Sequence, residues 1–314
     1  MKSIYFLTIL TATVVLLGGC APKLPQGVLK EDYIHKYGVA MSKKEWNDRG
    51  NSGKVISTLE NGATVTKTYE KDTLHGTSTI TFPHSLTIEK TEIYDQGKLT
   101  HKIEHFTSGI PMWEEQLLPN GKSLITTWYE DGTPQSYEEY DKKLLNKGEY
   151  YSSKNEVESR VQQQEGTRIH RDAYGNLLSK DLIKDGEITL RTTYHPNGDP
   201  KTITSYINGL PTHKKTFWLG GQPNTIEQWH EGEQSGITIV FQNGEKRAEI
   251  PYVHGKKHGA EKRFRENEIL AEELYWENDK KHGPARTHIN GKISTKWYLQ
   301  DKLVSKLIFD EFAN

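Results

Sequence analysis

Tyr252-Val-His-Gly-Lys-Lys-His-Gly259 is followed 24 residues later by Trp276-Glu-Asn-Asp-Lys-Lys-His-Gly283. These near-copies sit in the stretch Gly186–Gly291, which decides the fold. Two ladders of turn residues run through it. One is Gly186, Gly209, Gly232, Gly255 and Asp279; the other is Gly198, Gly221, Gly244, Asn267 and Gly291. Each ladder steps by 23, 23, 23 and 24 residues, so a turn recurs every 11 to 12 positions. Asn267 and Asp279 stand where Gly otherwise does, and Asn and Asp best tolerate the left-handed backbone of tight turns.

Between the turns, apolar and polar residues alternate. Ile237, Ile239 and Phe241 bracket Thr238 and Val240; Ala248, Ile250 and Tyr252 alternate with Arg247 and Glu249; Ile293, Thr295, Trp297 and Leu299 continue the pattern. Period two with β-branched and aromatic residues marks half-buried strands. Short turns force neighbouring strands to be antiparallel, because parallel pairs need long crossovers. The expected fold is all-β, an elongated antiparallel meander of about twenty strands, roughly 95 Å long at 4.8 Å per strand.

The first half follows the same grammar, with Val65, Lys67 and Tyr69 alternating with threonines. Turns are expected at Gly62, Asp72, Ser85, Gly97, Gly109, Gly121, Gly132, Lys143, Asn155, Gly166 and Gly175. Residues 152–165 admit a degenerate repeat or a helical insertion. The alternation of Val157, Ser159 and Val161 favours the repeat. Residues 31–54 are expected to be a cap segment with a short helix, because Ser42 and Glu45 form a capping-box pair, and it would cover an open sheet edge. The repeat array is expected over 55–309, with 310–314 as a tail.

Composition fits a thin sheet better than a large globular core. Of 314 residues, 33% are hydrophobic, and mean hydropathy is -0.77. The 41 basic and 42 acidic residues nearly cancel and are scattered, which argues against a nucleic-acid partner.

The one cysteine, Cys20, rules out an intrachain disulfide. Lys2, an uncharged run from Ile4 to Leu17 and small residues before Cys20 describe an export signal over 1–19. The run is short for a retained span. Leu17-Gly18-Gly19-Cys20 resembles the bacterial lipobox. That resemblance implies cleavage between Gly19 and Cys20, acylation of Cys20, and membrane attachment through N-terminal acyl chains. Residues 20–30 would then be a tether. Ala21 after the cysteine favours the outer membrane over inner-membrane retention.

Tyr69-Glu-Lys-Asp-Thr-Leu-His-Gly76 and Trp229-His-Glu-Gly-Glu-Gln-Ser-Gly236 are further copies of the motif. Looser ones begin at Tyr94, Phe106 and Tyr206. Aromatic-x-x-Gly-x-x-x-Gly at this period resembles the MORN (membrane occupation and recognition nexus) repeat, closest to the bacterial variant often labelled a toxin–antitoxin antitoxin component. The resemblance covers residues 55–308 and is strongest from Gly186 onward. It departs at Pro111, Ile188 and Pro211, where His-Gly is missing. It implies stacked hairpins in one curved sheet, and binding or scaffolding without a shared catalytic site. A lipobox fits poorly with neutralising a cytoplasmic toxin, so an antitoxin role ranks below a protein scaffold and below lipid or glycan binding.

No catalytic constellation emerges. His75, His258 and His282 recur before Gly, but equivalent positions in adjacent repeats lie about 9–10 Å apart, too far to share a zinc ion. His101-Lys-Ile-Glu-His105 spells an inverted zincin motif, which works on a helix; in a strand its histidines stand about 13 Å apart. His230-Glu-Gly-Glu-Gln234 lacks the second histidine and falls on a turn. No metal, cofactor or small-molecule substrate is expected. Glu and Lys along the strands are expected on a solvated face. Trp218, Trp229, Trp276 and Trp297 are candidates to line a binding face; otherwise they are the apolar strip that stacks the hairpins.

Overall fold

The computed structural model describes residues 25–313. The export signal, Gly19 and Cys20 lie outside them. The described chain is a single open sheet of 28 antiparallel strand segments, each paired with the next or the next but one in sequence. Two short helices accompany it: α1, Lys43–Asp48, and α2, Lys306–Phe312. Neither is long and apolar enough to cross a membrane.

The segment count exceeds twenty partly because the aromatic motif splits its strand. Thr73–Leu74, Glu233–Gln234 and Lys256–Lys257 are separated from the strands starting at Gly76, Gly236 and Gly259 by one bulged residue. That residue's N–H still reaches the neighbouring strand: His75 to Thr68 O, Ser235 to Gln228 O and His258 to Pro251 O, each 3.0 Å. His-Gly is therefore a bulge, an extra residue that increases local twist. The strands Pro111–Leu117, Glu187–Tyr194 and Leu210–Phe217, which lack it, run unbroken, as does Lys280–Ile289 through His282-Gly283, and register still shifts by one beside Glu187–Tyr194 and Leu210–Phe217.

All ten ladder residues have φ between 57° and 87°. Those of the first ladder occupy two-residue turns, such as Asp185–Gly186 and Asn208–Gly209, with both residues left-handed, matching the twist of the flanking strands. The opposite edge also uses wider loops. At His195–Asp199, His195 N donates to Asp199 O and Gly198 N to His195 O. Gly198 has φ 87° and open space around its Cβ direction. Gly198→Ala therefore adds only backbone strain, and should cost about 1–2 kcal/mol. Faster amide exchange confined to the strands Glu187–Tyr194 and Pro200–Ile207 would report it.

The N-terminal segment differs from the sequence expectation. Val28–His35 is a strand, so the expected tether ends early and residues 31–35 are not helical. Glu31 and Tyr33 alternate with Lys30 and Asp32, and seven residues pair with the strand Gly53–Leu59. Only 43–48 is helical. Its capping box forms: Ser42 Oγ accepts from Glu45 N at 3.2 Å, and Ser42 N donates to Glu45 Oε2 at 2.8 Å. This helix covers a face and not an edge, because its Trp46, 5% exposed, packs on Tyr33 and Tyr69. Among the described residues that edge is paired by Ala40 and Met41, opposite Ile34 and Tyr33. At the other end the last strand stops at Val304, and α2 occupies most of the expected tail.

Residues 152–165 are strand and turn, as the alternation implied, with the strand Val157–Gln162. The turn lies at Gln163–Gln164, both left-handed, and not at Gly166, which is inside the strand Glu165–Arg171. Here the sheet folds over. Only two residue pairs, Val161–Gly166 and Gln162–Glu165, join these strands. Backbone bonds skip a hairpin on each edge: Leu145 N to Gly186 O at 3.0 Å, and Glu130 N to Ala173 O at 3.3 Å. In the crook, Leu145, Tyr150, Val161, Ile169 and Ile183 form a buried apolar cluster.

Candidate functional site

Opposed residues of antiparallel strands share a face. One such row crosses six strands: Arg168, Asp181, Arg191, Thr204, Lys214 and Glu227. A second row beside it runs His170, Ser179, Thr193, Thr202, Thr216 and Thr225. Its hydroxyls pair across strands, Thr193 with Thr202 at 2.7 Å and Thr216 with Thr225 at 2.8 Å. This face is polar, and at the crook its charges are buried.

Asp181 is fully buried and is the hub. Arg191 donates to it through Nε at 2.7 Å and Nη2 at 2.8 Å. Arg168 donates through Nε at 3.1 Å and Nη2 at 2.9 Å. His170 Nε2 lies 3.6 Å away. Burial opposes the Asp181 charge, but the hydrogen bonds from Arg191 and Arg168, with His170 close by, outweigh it and hold the carboxyl well below the usual carboxylate range. Arg168 also donates from Nη1 to the Tyr140 hydroxyl at 3.1 Å. Tyr140 in turn donates to Glu138 Oε2 at 2.8 Å, and Tyr150 donates to Glu138 Oε1 at 2.7 Å. Burial, then the Glu138 charge, pushes both phenols well above the usual tyrosine range. The Tyr150 ring occupies the space that a Cβ at Gly148 would fill. A continuous chain thus links Glu138, Tyr140, Arg168, Asp181 and Arg191.

Three of these groups, Tyr140, Arg168 and Arg191, border a cleft of about 360 Å³. Leu145, Ile183 and Ile188 supply apolar walls, and Lys143, Glu187 and Tyr206 complete its polar lining with Tyr140, Arg168 and Arg191. The cleft therefore combines planar cations, phenol rings and an apolar wall, a set suited to binding. Asp181 is saturated by guanidinium donors, so it is not placed to serve as a free base.

None of these residues stood out in the sequence as a binding group. Charges on strands read as a solvated face, and the burial of Glu138, Asp181 and Glu261 corrects that reading. A signal was present: a carboxylate two residues before an aromatic, hence on the same strand face. It recurs as Glu31 with Tyr33, Glu92 with Tyr94, Glu138 with Tyr140, Glu149 with Tyr151 and Glu227 with Trp229, and in each the aromatic donates to the carboxylate.

The four candidate tryptophans do not converge. Trp229 and Trp276 share the polar face, each within an acid–aromatic–lysine unit. Trp276 Nε1 donates to Glu261 Oε2 at 2.7 Å, with Lys257 Nζ 4.6 Å from its ring centroid. Trp229 Nε1 donates to Glu227 Oε2 at 3.1 Å beneath Lys214. Trp297 packs on Phe309 of α2 at 5.0 Å between centroids. Trp218 lies in an edge loop, half exposed. The recurring histidines touch turns: His75 Nδ1 accepts from Gln96 N at 3.3 Å, and His282 Nδ1 lies 3.2 Å from Gln300 Nε2. His101 and His105 sit on the strand Lys98–His105. Among the described residues, no group of three or more His, Cys, Asp or Glu is arranged to hold a metal ion.

No family model and no curated protein matches the chain. Solved structures with some likeness include TcdB2-TccC3-TEV, at 10% identity over 78% of this chain, with a TM-score of 0.20. The Photorhabdus luminescens Tc holotoxin pore matches at 10% over 78%, with a TM-score of 0.15. The chain covers 19% of the length of each of these two. A porin-like protein from Bacteroides uniformis matches at 11% over 77% of this chain and 88% of its own, with a TM-score of 0.16. Likenesses this weak carry no argument about function.

Proposed function

We propose that this chain is a lipid-anchored, non-enzymatic scaffold of the bacterial outer membrane, related to the MORN-repeat variants, whose sheet binds a protein partner. The observation that supports it most is an open sheet with little interior. Among the described residues eleven hydrophobic side chains are buried, whereas large apolar ones such as Tyr137, Leu178 and Leu182 stand exposed on the strands. Such a molecule consists mostly of presentable surface, as repeat proteins do. The lipobox supplies the address, and acyl chains on Cys20 would hold the surface at the membrane.

Two measurements test this. Radiolabelled palmitate should enter the wild-type chain and not Cys20→Ala. Photo-crosslinkers placed at Tyr137 and Leu182 in intact envelopes should trap the same discrete protein, and one at Lys44 should not. Trapping of none, or of a random set of proteins, would count against the scaffold. Binding of the soluble Cys20→Ala form to liposomes or glycans in place of a protein would transfer the function to those ligands.

A further inference from the structure

We propose that the cleft in the crook is the anchoring point for an acidic segment of a protein partner. It would take a carboxylate on Arg191 and Lys143 and a neighbouring apolar side chain against Leu145, Ile183 and Ile188. This rests on the scaffold reading and names the place and chemistry of contact.

Charge is the first argument. The cleft lining carries three basic groups, Lys143, Arg168 and Arg191, against one acidic group, Glu187. The compensating Asp181 and Glu138 are buried and are not part of the lining. A ligand in the cleft therefore meets an excess of cations while the network behind them stays neutralised.

Geometry is the second. Arg191 uses Nε and Nη2 on Asp181, and Nη1 has no hydrogen-bond partner among the described residues. Its side chain is one-third exposed. A guanidinium anchored along one edge keeps its other edge for a second planar acceptor, the fork that suits a carboxylate. Asp181 fixes the guanidinium before any ligand arrives, which reduces the ordering cost of binding.

Composition is the third. Arg and Tyr in a partly enclosed pocket are the residue types that dominate protein interfaces. Tyr140 and Tyr206 flank the cations, and the apolar wall favours a peptide over a bare anion. The volume of about 360 Å³ accommodates one or two side chains.

A random heptapeptide display library, selected on the soluble Cys20→Ala protein, tests this directly. The paired variant Lys143→Glu/Tyr206→Ala serves as comparison, because neither residue contacts Asp181 and the network should persist. The expected result is enrichment of Asp or Glu beside Leu, Ile or Phe. Selected peptides should bind the paired variant about tenfold or more weakly, and lose about as much when their acid is replaced by its amide. Enrichment without acids, or binding retained by the paired variant at unchanged melting temperature, overturns the proposal. Trapping of a protein from Tyr137 and Leu182, on the opposite sheet face, with none from a crosslinker at Tyr206 in the cleft would keep the scaffold and remove this anchor. Cleft-dependent peptides without any envelope partner would keep the anchor and remove the scaffold.

Discussion

Asp181→Ala should destabilise the middle of the sheet by about 3 kcal/mol, the low end of the range for orphaning buried charge. Arg168 is the main reason, since its side chain is only 14% exposed and would lose both bonds to the carboxylate. Arg191 is 34% exposed and can turn toward water, so its share is screened. The loss should appear as faster amide exchange in Glu165–Arg171, Leu177–Lys184 and Glu187–Tyr194, with the array ends unchanged, because repeat sheets unfold locally.

Two comparisons separate charge from packing. Replacing the charges together, as Glu138→Gln/Arg168→Met/Asp181→Leu/Arg191→Met, should recover most of the loss, since removing every member of a buried ionic network leaves no charge orphaned. A quadruple variant as unstable as Asp181→Ala would mean that shape, not orphaned charge, governs the site. The pH dependence supplies the second comparison. The Asp181 carboxyl ionises below its ordinary value of about 3.9, so the folded state binds this proton less readily than the unfolded chain. Its stabilisation is fully present above about pH 4 and fades as pH falls below that. Between about pH 4 and pH 2 the wild type should lose stability more steeply than Asp181→Ala.

The turn ladder and the crook show why one was legible in sequence and the other was not. A left-handed turn accepts few residue types, so Gly186, Asn267 and Asp279 announce themselves wherever they recur. Strand faces follow from alternation, so Glu138 could be placed on a face but not given a depth. Depth at Glu138 depends on Tyr150 lying over Gly148, which is a matter of ring placement. Depth at Asp181 depends on which charges the register sets opposite it, and register shifts by one at each bulge, as between Leu182 and Ile183. The expectation of a cap segment over residues 31–54 missed the strand Val28–His35 for a related reason. Pairing with Gly53–Leu59 overrode a local preference. The tryptophans were legible as apolar mass, but their Nε1–H donors were not matched to Glu227 and Glu261 until the strands were registered.

Gly166→Ala should cost about 3–5 kcal/mol, well above Gly198→Ala, although both replace glycine at positive φ. The difference lies in what the added methyl meets. At Gly198 nothing lies within 4 Å. At Gly166, with φ 145°, a Cβ would stand 2.1 Å from Arg160 O and 2.8 Å from Val161 Cα. Both are backbone atoms of the neighbouring strand, so no rotamer change can make room. Separation of the strands would relieve the contact, but only Val161–Gly166 and Gln162–Glu165 join them. Their loss would release the Gln163–Gln164 turn, whose Gln164 N donates to Asn146 O and whose Gln164 O accepts from Gly186 N. Those bonds hold the two arms of the crook together on that edge. The variant should therefore show fast amide exchange at Val157–Gln162 and Glu165–Arg171, and should also lose the peptides selected on the cleft, because Arg168 sits two residues beyond the clash. Gly198→Ala should keep those peptides. Retention of peptide binding by Gly166→Ala at near-native stability would show that the strands do not approach this closely and that the crook is not what shapes the cleft.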